Sequence, residues 1–323
     1  MQEMDYPTIV YLGTPDFAVP PLRCLLDAGI RVAGVVTNPD KPAGRGQQPR
    51  ESPVKQFARE RGLPLLQPED FRDEVFLEQV KSWHADLQVV VAFKILPRVL
   101  WAMPPLGTVN LHASLLPDYR GAAPVNRVIM NGETRTGVTT FLLQQQIDTG
   151  NIIFQEQVEI GERVTAGELH DLLAARGSEL LLKTVRAIAG GQYPLVDQET
   201  LLRGRAPRSA PKIFKEEMKI DWHRDGRSIY NHIRGLSPFP AAWTEPRHRQ
   251  TGQRVTLKIF SAEWEPGKQC LPAGTLAAAA GSLDIYLHDG IMHVTGLQLP
   301  GKKRMHASEF LRGFPADQYT LQD

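Results

Sequence analysis

Over the first 200 residues, short β-rich runs alternate with helical stretches, and that alternation restricts the chain to a parallel sheet covered by helices. The β-rich runs fall at residues 8–12, 31–37, 86–92, 107–112, 137–142 and 152–160. Helical patterns occupy residues 17–28, 52–61, 71–83, 122–130 and 166–188. The helix at 52–61 opens on Ser52-Pro53, a capping hydroxyl followed by a proline at the first helical position. A Rossmann-type α/β layered sheet over residues 1–191 is the expectation.

The pattern changes after residue 191. Residues 192–212 carry Arg203-Gly-Arg-Ala-Pro-Arg-Ser-Ala-Pro211 with little apolar periodicity, and are expected to be a linker. From residue 213 to 323 come short alternating strands at 254–260, 283–287 and 291–299, with one helix at 228–234 and another after His306. Short strands separated by turn signals suggest a small OB-like β-barrel. The charge divides along the same line. Residues 1–202 hold 19 Lys and Arg against 24 Asp and Glu, giving −5, whereas residues 203–323 hold 18 against 12, giving +6. A basic half on a chain of net charge +1 is either ordinary surface charge or the footprint of a polyanionic partner.

Several classes fall away. With 42% apolar and 23% charged residues the chain has an ordinary globular composition, so long disorder is not expected. The two cysteines, Cys24 and Cys270, are far apart and have no companions at metal-ligand spacing, so neither a disulfide framework nor a metal site is expected. No apolar stretch approaches the ~20 residues needed to cross a bilayer, and the N-terminus lacks the pattern of a signal peptide. The expected address is the cytoplasm, without membrane contact, and no long apolar stripe argues against a monomer. The first turn, Leu12-Gly-Thr-Pro-Asp-Phe17, is not the glycine pattern of a dinucleotide site, and no P-loop occurs.

The stretch Asn110-Leu-His-Ala-Ser-Leu-Leu-Pro-Asp-Tyr-Arg-Gly121 begins where a buried strand ends, which is where open α/β sheets hold their ligands. Asn110 and His112 lie two apart, hence on one face of a strand. An amide and an imidazole on one face can both donate to a single developing oxyanion. Such a pair at a strand end more often serves local backbone groups, so by itself it is weak evidence. Asp148 sits in Asp-Thr-Gly150, which is good turn chemistry. It can equally be a carboxylate that orients His112, and spacing does not connect the two.

Taken together, Asn110-x-His112-x-Ser114-Leu-Leu-Pro117, Arg120-Gly-Ala-Ala-Pro124 and Asp148-Thr-Gly150 resemble the signature of the folate-dependent formyltransferases. The opening Gly13-Thr-Pro-Asp-Phe-Ala18, the loop Pro39-Asp-Lys-Pro-Ala-Gly-Arg-Gly46 and the closing Leu297-Gln-Leu-Pro-Gly-Lys-Lys-Arg-Met305 extend the likeness nearly end to end, toward the branch that acts on charged tRNA. The resemblance implies formyl transfer from 10-formyltetrahydrofolate to the amino group of methionine carried by initiator tRNA. It makes Asn110, His112 and Asp148 the catalytic trio, with Asn110 and His112 donating to the oxyanion, and Asp148 either favouring the charged form of His112 or taking the amine proton, directly or through water. Ser114, Leu115, Leu116 and Pro117 match the folate-contacting segment, with no metal required.

In the family the loop at 38–50 enters the acceptor arm of the tRNA. Lys41, Arg45 and Arg50 are therefore the candidate tRNA contacts, with Arg45 first because Gly44 and Gly46 flank it. Gln47-Gln48 stands where the family often has lysines, which lowers the expected charge of this loop. The resemblance also leaves open a relative that formylates an amino sugar nucleotide, a formyl-folate hydrolase, and a non-catalytic RNA-binding protein.

Overall fold

The computed structural model describes residues 6–43, 48–268 and 271–322, and the chain divides into two compact units. One comprises the chain up to Gly121 with Arg135–Glu159 and His170–Ala210; the other comprises Ala122–Thr134, Ile160–Leu169 and everything from Pro211 onward.

In chain order the elements are β1 (Ile9–Gly13), α1 (Val19–Asp27), β2 (Val32–Val36), β3 (Lys41–Ala43), β4 (Gln48–Arg50), α2 (Pro53–Glu60), β5 (Leu65–Leu66), α3 (Glu74–Ser82) and β6 (Leu87–Val91). They continue with α4 (Arg98–Trp101), β7 (Thr108–His112), α5 (Pro124–Met130), β8 (Arg135–Leu142), β9 (Ile152–Glu159), α6 (Ala166–Ala189) and α7 (Gln198–Leu202). Seven strands make one sheet in the order β5-β2-β1-β6-β7-β8-β9. From β5 to β7 every pairing is parallel, as the alternation of elements requires. The edge differs: β8 runs antiparallel to β7, and β9 antiparallel to β8. The short stretch 143–151 between β8 and β9 cannot hold the crossover of about a dozen residues that parallel neighbours need.

The strand order reverses at β1, since the chain leaves it for β2 on one side and later returns to β6 on the other. Such a switch point opens a crevice at the carboxyl ends of β1, β6 and β7. Side-chain alternation decides which residues face it. Val10, Leu12, Val36 and Val90 join Phe76 and Val80 of α3 and Leu100 of α4 in one apolar cluster. On the opposite face α6 lies across β7 and β8. A Cβ added at Gly177 would come within 2.9 Å of Leu111, and the Thr184 hydroxyl is 2.8 Å from that of Thr140. With Leu111 toward α6, the period of two puts Asn110 and His112 on the α3–α4 face. Their register partners, Val90 beside Asn110 and Thr139 beside His112, share that face.

Two expectations need correction. The stretch 192–212 is not a free linker: Val196 exchanges two 2.9 Å backbone hydrogen bonds with Ile152, and the Ala210 N–H donates to the Arg120 carbonyl at 2.8 Å. Gln198 and Ala210 are fully buried. Its proline and arginine content marks an irregular path, not an unattached one. Likewise α5, expected in the first domain, belongs to the second unit. The Asn126 amide donates to Gly235 O at 2.7 Å, and Arg127 reaches Pro211 O at 3.2 Å and Glu217 at 2.7 Å, so the polar groups of α5 are satisfied there.

The rest of the second unit is α8 (Gly226–Gly235), β10 (Ala242–Thr244), β11 (Arg247–His248), β12 (Leu257–Pro266), β13 (Leu276–Ala278), β14 (Leu283–Tyr286), β15 (Gly290–Gln298), β16 (Met305–His306), α9 (Ala307–Phe310) and β17 (Tyr319–Thr320). The main sheet runs β10-β12-β15-β14-β13 with β16 beside β15, all antiparallel, and β11 pairs with β17. This is consistent with an OB-like domain. Helix α8 starts on Asp225, whose side chain accepts from the Ser228 N–H at 2.8 Å, and it buries Ile229 and Ile233 in a cluster with Leu257, Ile259, Leu283, Ile285, Met292 and Val294. Among the described residues no helix is long and apolar enough to cross a membrane.

Candidate active site

Strand β7 delivers two polar side chains into the crevice with different commitments. Asn110 is half-buried, and its amide has no hydrogen-bonding partner among the described residues. His112 is buried, with Nε2 at 2.9 Å from the Tyr119 carbonyl oxygen. A carbonyl only accepts, so this bond places a proton on Nε2. The other ring nitrogen, Nδ1, faces Asp148 Oδ2 at 3.9 Å, too long for a direct hydrogen bond.

Asp148 is brought there by the turn between β8 and β9. Its φ of 54° is left-handed, a conformation that Asp tolerates better than most residues. The turn can lie close because residue 150 is glycine: a Cβ at Gly150 would sit 1.6 Å from the Leu142 carbonyl. Asp148 Oδ2 accepts the Gly121 N–H at 3.0 Å. Thus the structure brings Asp148 to His112, on the strand face that Asn110 shares, although nothing in their spacing required it.

The segment 114–117 is placed beside this group but turned partly inward. The Ser114 hydroxyl donates to Asp118 O at 2.7 Å. Leu116 N–H donates to the Thr139 hydroxyl at 3.2 Å, and Leu116 O accepts from Gln155 at 2.8 Å. Thr139 in turn donates to Ser114 O at 2.6 Å. Both backbone groups of Leu116 are therefore used within the protein. Ser114, Leu116 and Pro117 are buried, and Leu115 is the partly exposed member. Sequence reasoning missed Thr139, Gln155 and Gln198. The only available signal was the Asp197-Gln-Glu start of α7, where the Asp197 carboxylate accepts the Glu199 N–H at 3.0 Å.

The loop after β2 forms a two-stranded hairpin in which Lys41 on β3 pairs with Arg50 on β4. Arg50 is exposed, and Arg45 lies outside the described residues. Asp40 anchors the base of the hairpin, meeting Lys55 Nζ at 2.6 Å and Gln67 Nε2 at 2.9 Å. Those bonds hold the Asp40 carboxyl below its ordinary pKa and raise that of Lys55. Among the described residues no cluster of three or more His, Cys, Asp or Glu is placed to hold a metal ion.

Comparison with known proteins bears on the whole chain. The chain matches the formyl transferase family model over residues 8–185 and the formyl transferase C-terminal domain model over residues 212–315. It is 50% identical over 307 residues to the methionyl-tRNA formyltransferase of Bacteroides fragilis, spanning 95% of this chain and 94% of that one. It is 45% identical over 309 residues to the protein of the same name from Porphyromonas gingivalis, spanning 95% of each. Among solved structures it resembles the N-formyltransferase from Helicobacter canadensis in complex with folinic acid and dTDP-3-aminofucose, with TM-score 0.63, 19% identity, and coverage of 89% of this chain and 98% of that one. It also resembles HypX from Aquifex aeolicus in complex with tetrahydrofolic acid, with TM-score 0.64, 16% identity, and coverage of 99% and 51% respectively. These two likenesses speak for the fold alone. Since the two family models run from residue 8 to residue 315 and half-identity to curated relatives extends along nearly their whole length, the chain belongs to the formyl transferase family.

Proposed function

We infer that this chain transfers the formyl group of 10-formyltetrahydrofolate to the free amino group of methionine esterified to initiator tRNA, for translation initiation. The observation that carries the reading is its 50% identity, over 95% of its length, to proteins named methionyl-tRNA formyltransferase. The site supports it on separate grounds. The folate co-substrate supplies an electrophilic formyl carbon. When an amine attacks such a carbon, negative charge grows on its oxygen while the nitrogen must lose a proton; the carbon–nitrogen bond to the folate then breaks, and the folate nitrogen takes up a proton and leaves as tetrahydrofolate.

Asn110 suits the first need, because its amide is not spent on the protein. His112 and Asp148 suit the second. Across their 3.9 Å separation one substrate atom can lie ~2.9 Å from both His112 Nδ1 and Asp148 Oδ2. Asp148 accepts the amine proton at that point, with Gly121 N–H holding the carboxylate in place. The Nε2–H of His112 stays on Tyr119 O, so Nδ1 is the ring nitrogen left to meet the substrate. The folate lies against Leu115, with Ser114, Leu116 and Pro117 supporting that wall from behind. Lys41, Arg45 and Arg50, together with the basic residues 213–323, take the tRNA. The reading includes a monomer working in the cytoplasm.

The test uses purified protein, 10-formyltetrahydrofolate, and either charged initiator tRNA or an amino sugar nucleotide. Formylmethionyl-tRNA is the expected product. Turnover of the sugar nucleotide with none of the tRNA would overturn the reading.

A further inference from the structure

Gln198 lies in the stretch whose composition reads as linker, yet it is fully buried at the first position of α7. Its amide nitrogen donates to Asp148 O at 2.9 Å and to Gly150 O at 2.8 Å. Its amide oxygen accepts from Arg120 Nε at 3.1 Å and from a terminal guanidinium nitrogen at 2.8 Å. Only this orientation of the amide is chemically consistent, because a flipped one would set its NH2 against the guanidinium and its oxygen against two carbonyls. Both carbonyls thus flank the left-handed backbone of Asp148 and are gripped by one side chain.

Around that grip the chain is clipped to the loop that also holds His112. Arg205 forms two hydrogen bonds to Asp118, at 2.7 and 2.6 Å, and the Tyr119 N–H donates to Arg208 O at 2.6 Å. Gly121, whose N–H holds the Asp148 carboxylate, has φ +123°, and a Cβ there would lie 2.6 Å from Ala210 O. Residues 197–210 therefore touch the candidate site from behind at both the Asp148 turn and the Tyr119 loop.

We propose that Gln198, oriented by Arg120, is the positioning residue that fixes the Asp148 turn so that its carboxylate faces His112. The proposal rests on the reading of Asp148 as the carboxylate beside the reacting amine. A side chain holding two carbonyls of a strained turn sets where the carboxylate sits without touching substrate. Outer partners of metal ligands cost ~10–100-fold in activity when lost, and a loss of the same order is expected here.

The test is Gln198→Met, which keeps the volume and removes all four hydrogen bonds. Leu202→Ala serves as control, loosening the other end of α7, where Leu202 is buried. With saturating initiator methionyl-tRNA and 10-formyltetrahydrofolate, kcat should fall ~10–100-fold in Gln198→Met with KM for folate within about threefold, while Leu202→Ala lowers the thermal midpoint but keeps kcat. If Gln198→Met does not yield folded protein, Gln198→Glu keeps the Arg120 contact, turns oxygen toward the two carbonyls, and should show the same loss. The second readout needs no turnover: the 15N resonance of His112 Nδ1 should move in the Gln198 variant and stay in Leu202→Ala. Wild-type kcat in the Gln198 variant, or an equal loss in Leu202→Ala, overturns the proposal. Should the wild-type protein fail to formylate methionyl-tRNA, the function reading falls, and an unmoved His112 resonance in the Gln198 variant then overturns the positioning role separately.

Discussion

Asn110 has no amide partner among the described residues, while the side chains of His112 and Asp148 are each tied to the backbone by one hydrogen bond, to Tyr119 O and from Gly121 N–H. In the proposed reaction Asn110 and His112 both act on the transition state. Asn110→Ala and His112→Ala should therefore each lower kcat by ~10²–10³ with little change in tRNA affinity. Single-turnover formylation at saturating tRNA measures it, and near-wild-type rates in either variant would remove that residue from the mechanism. Thr139 carries a different burden, donating to Ser114 O and accepting from Leu116 N–H and Gln155. Thr139→Val preserves shape but strands a buried N–H and a buried C=O, so urea unfolding should show a loss of about 1–3 kcal/mol. An unchanged midpoint would mean that these groups find other partners. Of these residues only Asn110 and His112 show in the sequence as a pair, because the two-residue period of a strand is local. Asp148, Thr139 and Gln198 meet them through pairings across tens of residues, which no local pattern encodes.

At the scale of elements, what the sequence displays is the burial pattern, and what it conceals is the partner. The runs at 8–12, 31–37, 86–92 and 107–112 are apolar because both faces of a central strand are covered, and they appear as β1, β2, β6 and β7. Helix α5 is equally visible as a helix, but its membership of the second unit depends on Asn126 and Arg127 finding Gly235, Pro211 and Glu217 some 85 to 110 residues later. A cross-strand group in that unit has a measurable consequence. His293 on β15 meets Asp284 of β14 at 2.8 Å through Nδ1 and Glu265 of β12 at 3.2 Å through Nε2. Burial works against its charge, but the hydrogen bonds and charges of Asp284 and Glu265 outweigh it and raise its pKa. A raised folded value means that the stabilisation is fully present below the unfolded value near ~6.5 and is lost as pH rises through the higher folded one. The gap in thermal midpoint between the wild-type protein and His293→Gln should thus be wider at about pH 5.5 than at about pH 8.5. Equal gaps at both would show that the imidazolium adds nothing.

For the whole molecule the question is how a charged tRNA is told from its competitors. Phosphate contacts bind every tRNA alike, whereas contacts to base edges or to an unpaired acceptor end discriminate. In the proposed reading the +6 charge of residues 203–323 is of the first kind, setting affinity and its salt dependence. The β3–β4 hairpin is the candidate for the second. Asp40 and Lys55 anchor its base, its strands bring Lys41 beside Arg50, and in the sequence between them Arg45 stands between two glycines. Since Gln47-Gln48 adds no charge there, a purely electrostatic tip would be a weak one. Arg45→Ala should then reduce the ratio of kcat/KM for initiator over elongator methionyl-tRNA, by the 1–3 kcal/mol that a good bidentate base contact is worth, or about 5–150-fold. Lys41→Ala, at the start of the hairpin, should weaken both tRNAs equally and flatten the salt dependence by about one counterion. If the hairpin only covers the folate, both variants will change KM for folate and leave the tRNA ratio untouched. Measuring kcat/KM for the two tRNAs at two salt concentrations separates these outcomes, and a constant ratio in Arg45→Ala would place discrimination elsewhere in the molecule.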